Sequence, residues 1–203
     1  MASKLSTQLL VLVAVLMASM SPEVLATKDG TVTLGKKHTH IRVYVHEKFS
    51  GQNATVGTVA PSQPSQNGTM GPVAPPQLGP MPNATFGRVD VVDDALRVGQ
   101  DAASELVGRY QGMLIGSDLD GNSSYISVMT LVFNAGKHNG STLSLQGRYD
   151  SLVGGEVIER AVVGGTGGLR MARGYSLLKM VSTTKEAAVF ELNLFVFTPR
   201  IRF

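Results

Sequence analysis

The sequence predicts an all-β fold, and three observations predict it. From Phe86 onward, short apolar runs are punctuated by Gly and Asn, the pattern of strands joined by tight turns. Outside the N-terminal apolar run, no segment keeps a 3.6-residue apolar period. In the stretch 40–47 the two faces separate at period 2: Ile41, Val43, Val45 and Glu47 share one side, while His40, Arg42, Tyr44 and His46 share the other.

The elements follow in order along the chain. Residues 1–26 read as a cleaved secretory signal: Lys4, an unbroken apolar run Leu9–Ala18, then Ser19–Pro22 and a small-residue exit at Ala26. That run is too short for the roughly 20 apolar residues a membrane span needs, so no membrane anchor is expected. Residues 27–39 form an N-terminal extension, and a single domain spans 40–203. Eight strands are expected at about His40–Glu47, Phe86–Val92, Leu106–Ile115, Tyr125–Phe133, Thr142–Tyr149, Glu156–Val163, Ala172–Val181 and Ala188–Val196. The segment at about 51–84 holds Pro61, Pro64, Pro72, Pro75, Pro76, Pro80 and Pro82 among Gly, Ser, Gln and Asn, and reads as a mobile loop unable to offset its ordering entropy. Asn139-Gly140 marks a hairpin turn. Eight antiparallel strands with short turns can close into a barrel or stack as a sandwich, and spacing leaves both open.

Composition excludes several kinds of chemistry. The chain has no cysteine, which removes disulfides, thiol catalysis, cysteine-ligated zinc and iron–sulfur clusters. Its net charge is +3, but the Lys and Arg residues are scattered, with no run of five and no stacked aromatic series, so nucleic acid is not an expected partner. Five Asn-x-Ser/Thr sequons, at Asn53, Asn67, Asn83, Asn122 and Asn139, are expected glycan acceptors behind a secretory signal. His38, His40 and His46 share a strand face but lack a fourth ligand, and Asp118, Asp120 and Asn122 lack the Glu that closes a calcium loop. No metal is expected.

The stretch Val162–Tyr175, VVGGTGGLRMARGY, is Gly-rich without phosphate-binding chemistry. A Walker loop needs Gly-Lys-Ser/Thr after its glycines, and a dinucleotide fingerprint needs Gly where Arg170 stands. A tight reversal with close backbone approach is the structural reading. Together with FGRVDVVDDALRVG at Phe86–Gly99 and LVFNAGKHNGSTLSLQGRYD at Leu131–Asp150, this stretch resembles the plant dirigent family from about Thr39 to Val196. The resemblance implies a barrel similar to allene oxide cyclase and lipocalins, assembled as a homotrimer. It also implies an extracellular, apoplastic protein without cofactor that does not itself oxidise substrate. Its ligands are then phenolic radicals or quinone methides from monolignols, with a laccase or peroxidase supplying the oxidation. The implied function is regio- and stereoselective phenoxy radical coupling in lignan formation. The alternatives are dehydration or cyclisation of an isoflavonoid-type alcohol through a quinone methide, and a structural role in lignin deposition.

Site residues follow from the residues and the resemblance together. Glu47 ends an apolar row; if that row lines a barrel, desolvation raises its pKa and holds it as a proton donor, whereas at a solvated strand end it stays ordinary. The resemblance places an acid here in the substrate cavity and a second at Asp150, in a Gly-Arg-x-Asp arrangement that otherwise reads as an Asx turn. After Gln111-Gly112, relatives that make lignans carry Phe-Tyr-Phe-Tyr where this chain has Met113, Leu114, Ile115 and Gly116, so Leu114 replaces a substrate-contacting phenol. A pocket Arg of the family aligns with Ile158. Arg160 lies on the same strand face, displaced by roughly 6–7 Å, and is the expected substitute. Asp93-Asp94 reads as a strand terminator, with either acid able to pair with Arg173.

Overall fold

The computed structural model describes residues 35–60, 86–118, 124–150 and 156–200. The signal, residues 27–34 of the N-terminal extension, most of the Pro-rich segment and the sequons at Asn67, Asn83 and Asn122 lie outside the described residues, whereas residues 35–39 of the extension are not separate but open the first strand. Strands are β1 (Gly35–Lys48), β2 (Val56–Ala60), β3 (Val89–Arg97), β4 (Leu106–Gly116), β5 (Ser124–Phe133), β6 (Thr142–Asp150), β7 (Val157–Thr166), β8 (Arg173–Thr183) and β9 (Ala187–Arg200).

The strands hydrogen-bond in the order β1-β9-β8-β7-β6-β5-β4-β3-β2, and β1 also pairs with β3. That last pairing, Tyr44 to Arg97 through His46 to Ala95, closes the sheet into an eight-stranded antiparallel barrel. Closure leaves only a short ninth strand paired on one side, and so little of the unpaired edge that invites aggregation. β2 is the ninth strand, not among the eight expected. It pairs Val56–Ala60 with Val92–Val89, so β1 and β2 follow each other along one edge of β3, like a single strand interrupted by residues 49–55. The Pro-rich segment therefore begins as sheet, not as loop, because Val56 and Val89–Val92 offer apolar and backbone partners to its first residues.

Two further expectations are corrected. β3 does not stop at Asp93-Asp94 but runs on to Arg97, since alternate residues Asp90, Val92, Asp94 and Leu96 are all buried and the outward Asp93 is held by Arg109. Arg173 pairs with neither acid; its guanidinium donates to the Ala172 carbonyl. The Asn139-Gly140 reversal is present, preceded by a short 3-10 turn at Gly136–His138. Asn139 has negative φ (−46°) and Gly140 positive φ (75°), which is a type II geometry in place of the doubly positive hairpin turn.

Inside, alternate residues of every barrel strand converge on one core. Leu131, Leu143, Leu145, Leu192 and Leu194 are completely buried, each such side chain contributing about 1.5–3 kcal/mol. The glycine-rich stretch crosses from β7 to β8 at one barrel end. There Gly167 (φ 58°) turns so close to Gly140 that a β-carbon would stand 2.7 Å from the Gly140 carbonyl oxygen. The adjacent Gly168 amide donates to the Ser141 hydroxyl. This stretch joins two hairpin ends and carries no ligand-binding side chain into the barrel.

Candidate functional site in the barrel interior

One band of the interior is not filled by the core. Its cavity is small, about 20 Å³, room for a water molecule and well below the roughly 300–1,000 Å³ typical of small-molecule sites, so its lining side chains must move to admit a larger ligand. Val45, Val92, Leu114, Met129, Leu178 and Phe190 form apolar walls, and Glu47, Tyr110, Tyr149 and Arg160 bring the polar groups.

Glu47 ends the inward row of β1, as its period-2 spacing requires. It keeps partial contact with water because it borders the cavity, yet protein surrounds the carboxyl closely. Burial, reinforced by the nearby Asp90 charge, raises its pKa to about 7. A carboxylic acid in that range gives or takes a proton at neutral pH.

A second acid shares the interior, and it is Asp94. Because β3 has a period of 2, Asp93 points outward to Arg109 and Gln111, while Asp94 is fully buried. Thr55, from the interruption between β1 and β2, donates its hydroxyl to one Asp94 oxygen; the other, Oδ2, has no partner among the described residues. Burial and then the Glu47 charge push the Asp94 pKa well up. Two carboxyls so placed cannot both ionise cheaply, so the pair holds a proton at neutral pH. A neighbouring ion pair is closed on itself: Arg88 Nε lies 2.7 Å from Asp90 Oδ2, and Thr58 bridges the two.

Asp150, expected as the second pocket acid, is not in the cavity. β6 turns it outward, half-exposed, where Ser124 donates to it and Arg148 Nε lies 2.7 Å away; these partners hold its pKa down. In Gly147-Arg148-Tyr149-Asp150 the two inward positions are Gly147 and Tyr149. Tyr149 is buried and lines the cavity, in edge contact with Tyr125, and burial drives its pKa up. Gly147 leaves room for its neighbour across the sheet, since a β-carbon there would stand 3.2 Å from Arg160 Cγ.

Arg160 faces the interior from β7. It is 2% exposed, lines the cavity and lies over the Tyr110 ring, with its guanidinium carbon 5.7 Å from the centroid. Flanking partners are small: Gly147 on β6, and Ser176, which faces Arg160 on β8 and donates to its carbonyl. None of its three guanidinium nitrogens has a hydrogen-bond partner among the described residues. The Tyr110 hydroxyl likewise lacks a partner of good geometry, though the guanidinium is near enough to offset part of what burial does to its pKa.

The remaining expectations divide. Leu114 lines the cavity; Ile158 faces the same interior and is buried, but does not border the open space. Gly116 also faces inward, and Met113 and Ile115 face outward. In this chain the two inward positions after Gln111-Gly112 thus carry an aliphatic side chain and none. Asn53 and Asn139 are exposed on turns. Among the described residues no cluster of His, Asp and Glu suits a metal ion. Sequence reasoning missed Asp94, Tyr110 and Tyr149. The signal that finds them is alternation: of any two adjacent acids in a strand one must face inward.

Once its lining side chains open, this cavity offers apolar walls, hydrogen-bond donors at Arg160 and a proton at Glu47, while Asp94 lies buried behind it. Comparison with known proteins agrees with the architecture. A family model described as Dirigent-like protein matches residues 38–197. The chain is 35% identical over 161 residues to Dirigent protein 1 of Arabidopsis thaliana, covering 79% of each. It is 36% identical over 182 residues to Pterocarpan synthase 1 of Glycyrrhiza echinata, covering 88% of this chain and 85% of that one. The solved structure of a pterocarpan synthase dirigent protein superposes with a TM-score of 0.67 at 34% identity, over 89% of this chain and 98% of the other. With the family model matching residues 38–197 and relatives 35% and 36% identical over 79% and 88% of its length, the chain belongs to the dirigent family.

Proposed function

We propose that the barrel binds a phenolic alcohol and converts it through a quinone methide, directing the attack of a second hydroxyl on one face of that intermediate. The observation that carries this reading is the presence, in one apolar cavity, of an acid whose pKa burial raises to about 7 and an arginine whose guanidinium has no hydrogen-bond partner among the described residues. Glu47 gives its proton to the departing hydroxyl, which leaves as water. The phenolic oxygen, held at Arg160, releases its proton to water, to be regained when the ring rearomatises, and its electrons form the exocyclic double bond of the quinone methide. A second hydroxyl of the substrate then attacks the methide carbon, its proton goes to the Glu47 carboxylate, and the ring oxygen regains its electron pair. The net change is loss of water, and no oxidant is consumed. Orientation in the cavity supplies the stereochemistry, and the preorganised charge at Arg160 stabilises the developing oxyanion.

Dehydration followed by ring closure of an isoflavonoid-type alcohol is the favoured form. It is supported by the pterocarpan synthases among the relatives and by Leu114 and Gly116, which replace phenolic groups with apolar surface and space. The second form is coupling of monolignol phenoxy radicals supplied by a laccase or peroxidase, which ends in a quinone methide on which the same groups act. An isoflavanol with a free 2′-hydroxyl, incubated with the purified protein and no oxidant, is expected to give one enantiomer of the ring-closed product. Activity should fall as pH rises through about 7, where Glu47 loses its proton, and Glu47→Gln should lower kcat by roughly 10²–10⁴-fold. If the isoflavanol is untouched but coniferyl alcohol with a laccase gives a chiral dimer, the coupling form stands; racemic product in both assays overturns the reading.

We further infer that the chain is exported to the apoplast, carries sugar at Asn53 and Asn139, and assembles as a homotrimer. The signal-like N-terminus supports the first, the exposure of those turns the second, and the outer barrel wall the third.

A further inference from the structure

Arg160 lies in the interior without a counter-ion among the described residues. Leaving a buried guanidinium unpaired costs several kcal/mol, and each group facing it leaves that deficit in place. Burial raises the pKa values of Glu47 from β1 and Asp94 from β3, and neither accepts a hydrogen bond from the guanidinium. Tyr110 from β4 and Tyr149 from β6 are phenols that burial keeps un-ionised. On β7 the neighbouring inward side chain is Ile158, and β5, β8 and β9 bring Met129, Ser176 and Phe190, which carry no charge. The Arg88–Asp90 pair is satisfied internally.

A neutral phenol offers Arg160 an acceptor but brings an O–H proton toward a cation. A phenolate offers a full negative charge and three lone pairs to a guanidinium that has five N–H donors. We propose that the cavity takes its phenolic ligand in the ionised form, the oxygen held by Arg160 and by the Tyr110 hydroxyl. The inference rests on the reading of the cavity as a phenol site and adds the ionisation state of what enters it. The proton is lost to bulk water before or during entry, so no base in the protein is needed for it. The roles inside then separate: the ligand arrives with the electron pair that expels the leaving group, and Glu47 is free to act as acid.

The test uses the full-length protein and 4-hydroxyacetophenone, whose phenolate absorbs at longer wavelength than the phenol. Absorbance is followed across pH with ligand bound and free. The bound phenol is expected to ionise about one pH unit or more below the free one, which is about tenfold or greater preference for the phenolate. Glu47→Gln should leave that preference in place, because Glu47 is not the group that holds the oxygen. Arg160→Met should abolish it while neutral phenol still binds, and Tyr110→Phe should reduce it. If Arg160→Met does not fold, the wild-type titration decides alone. Binding with an unshifted or raised phenol pKa overturns this inference and leaves the phenol site intact. Failure of the wild-type protein to bind any simple phenol overturns both.

Discussion

At the scale of single residues, the site depends on where an acid sits relative to water, and Glu47 shows how that couples to stability. Its folded pKa of about 7 lies above the ordinary carboxylate value, so the folded state holds a proton that the unfolded chain has given up. The contribution is therefore fully present below the unfolded value, near 4.5, and is lost as pH rises through about 7. Asp94 is raised for the same reason and adds the same sign. The thermal midpoint of the purified protein should fall between pH 5 and pH 8, on the order of several degrees for a domain of this size. Glu47→Gln should reduce that slope, and Glu47→Gln with Asp94→Asn should nearly remove it. A midpoint that rises over the same interval, or a slope indifferent to both substitutions, would show that neither acid is buried as described. Asp150 contributes no such dependence there, because Arg148 and Ser124 keep its pKa low.

At the scale of elements, most of the barrel was legible because an amphipathic strand writes its two faces into the sequence at period 2. Glu47 was reached in that way, as the end of an apolar row; Arg160 came from a family position at Ile158 on the same face, and Leu114 from the family resemblance alone. What was not legible depended on the third dimension. β2 is five residues of mixed character whose pairing depends on β3 lying alongside, more than thirty positions away in the chain. Asp150 and Tyr149 are adjacent, and their two orientations differ only by the register of β6, which the sequence around them does not settle. The interruption between β1 and β2 is the element that completes the acid pair, through Thr55. Its hydroxyl donates to Asp94 and also accepts from the Lys48 amide. Thr55→Val removes both, leaving a buried carboxyl without its donor, and should cost about 1–3 kcal/mol in chemical denaturation. Thr55→Ser should restore most of that. The valine change also destroys the Asn53 sequon, so the comparison belongs in protein made without glycosylation. Equal stability of all three proteins would mean that the Thr55–Asp94 contact does not form.

At the scale of the whole molecule, the outer wall breaks the rule that the inner wall obeys. A closed barrel in water should alternate apolar-in with polar-out, and on β6 it does, with Gln146 and Arg148 outward. On β3, β4 and β5 it does not: Val91, Met113 and Val128 are direct cross-strand partners on the outside, and Ile115 pairs with Ile126 beside them. Val91, Met113, Ile126 and Val128 are each about 40% exposed, and apolar side chains in such a contiguous group mark a contact surface more often than a free one. The eight barrel strands close on one another and leave only the five-residue β2 paired on one side, so this apolar face of the three strands is the surface on which association is best tested. The proposed trimer should therefore be broken by placing a charge at its centre. Val128→Lys desolvates an ammonium in any assembled form but leaves the barrel core untouched, because Val128 points away from it. Light scattering after size exclusion should give a mass near three chains for the wild type and one chain for Val128→Lys, with unchanged far-ultraviolet circular dichroism. A lysine on the outer wall of β8, at exposed Tyr175, serves as the control and should leave the mass unchanged. A wild type that is monomeric at micromolar concentration, or a Val128→Lys protein that remains assembled, would remove this face from the interface and leave its exposed valines to be explained by another partner.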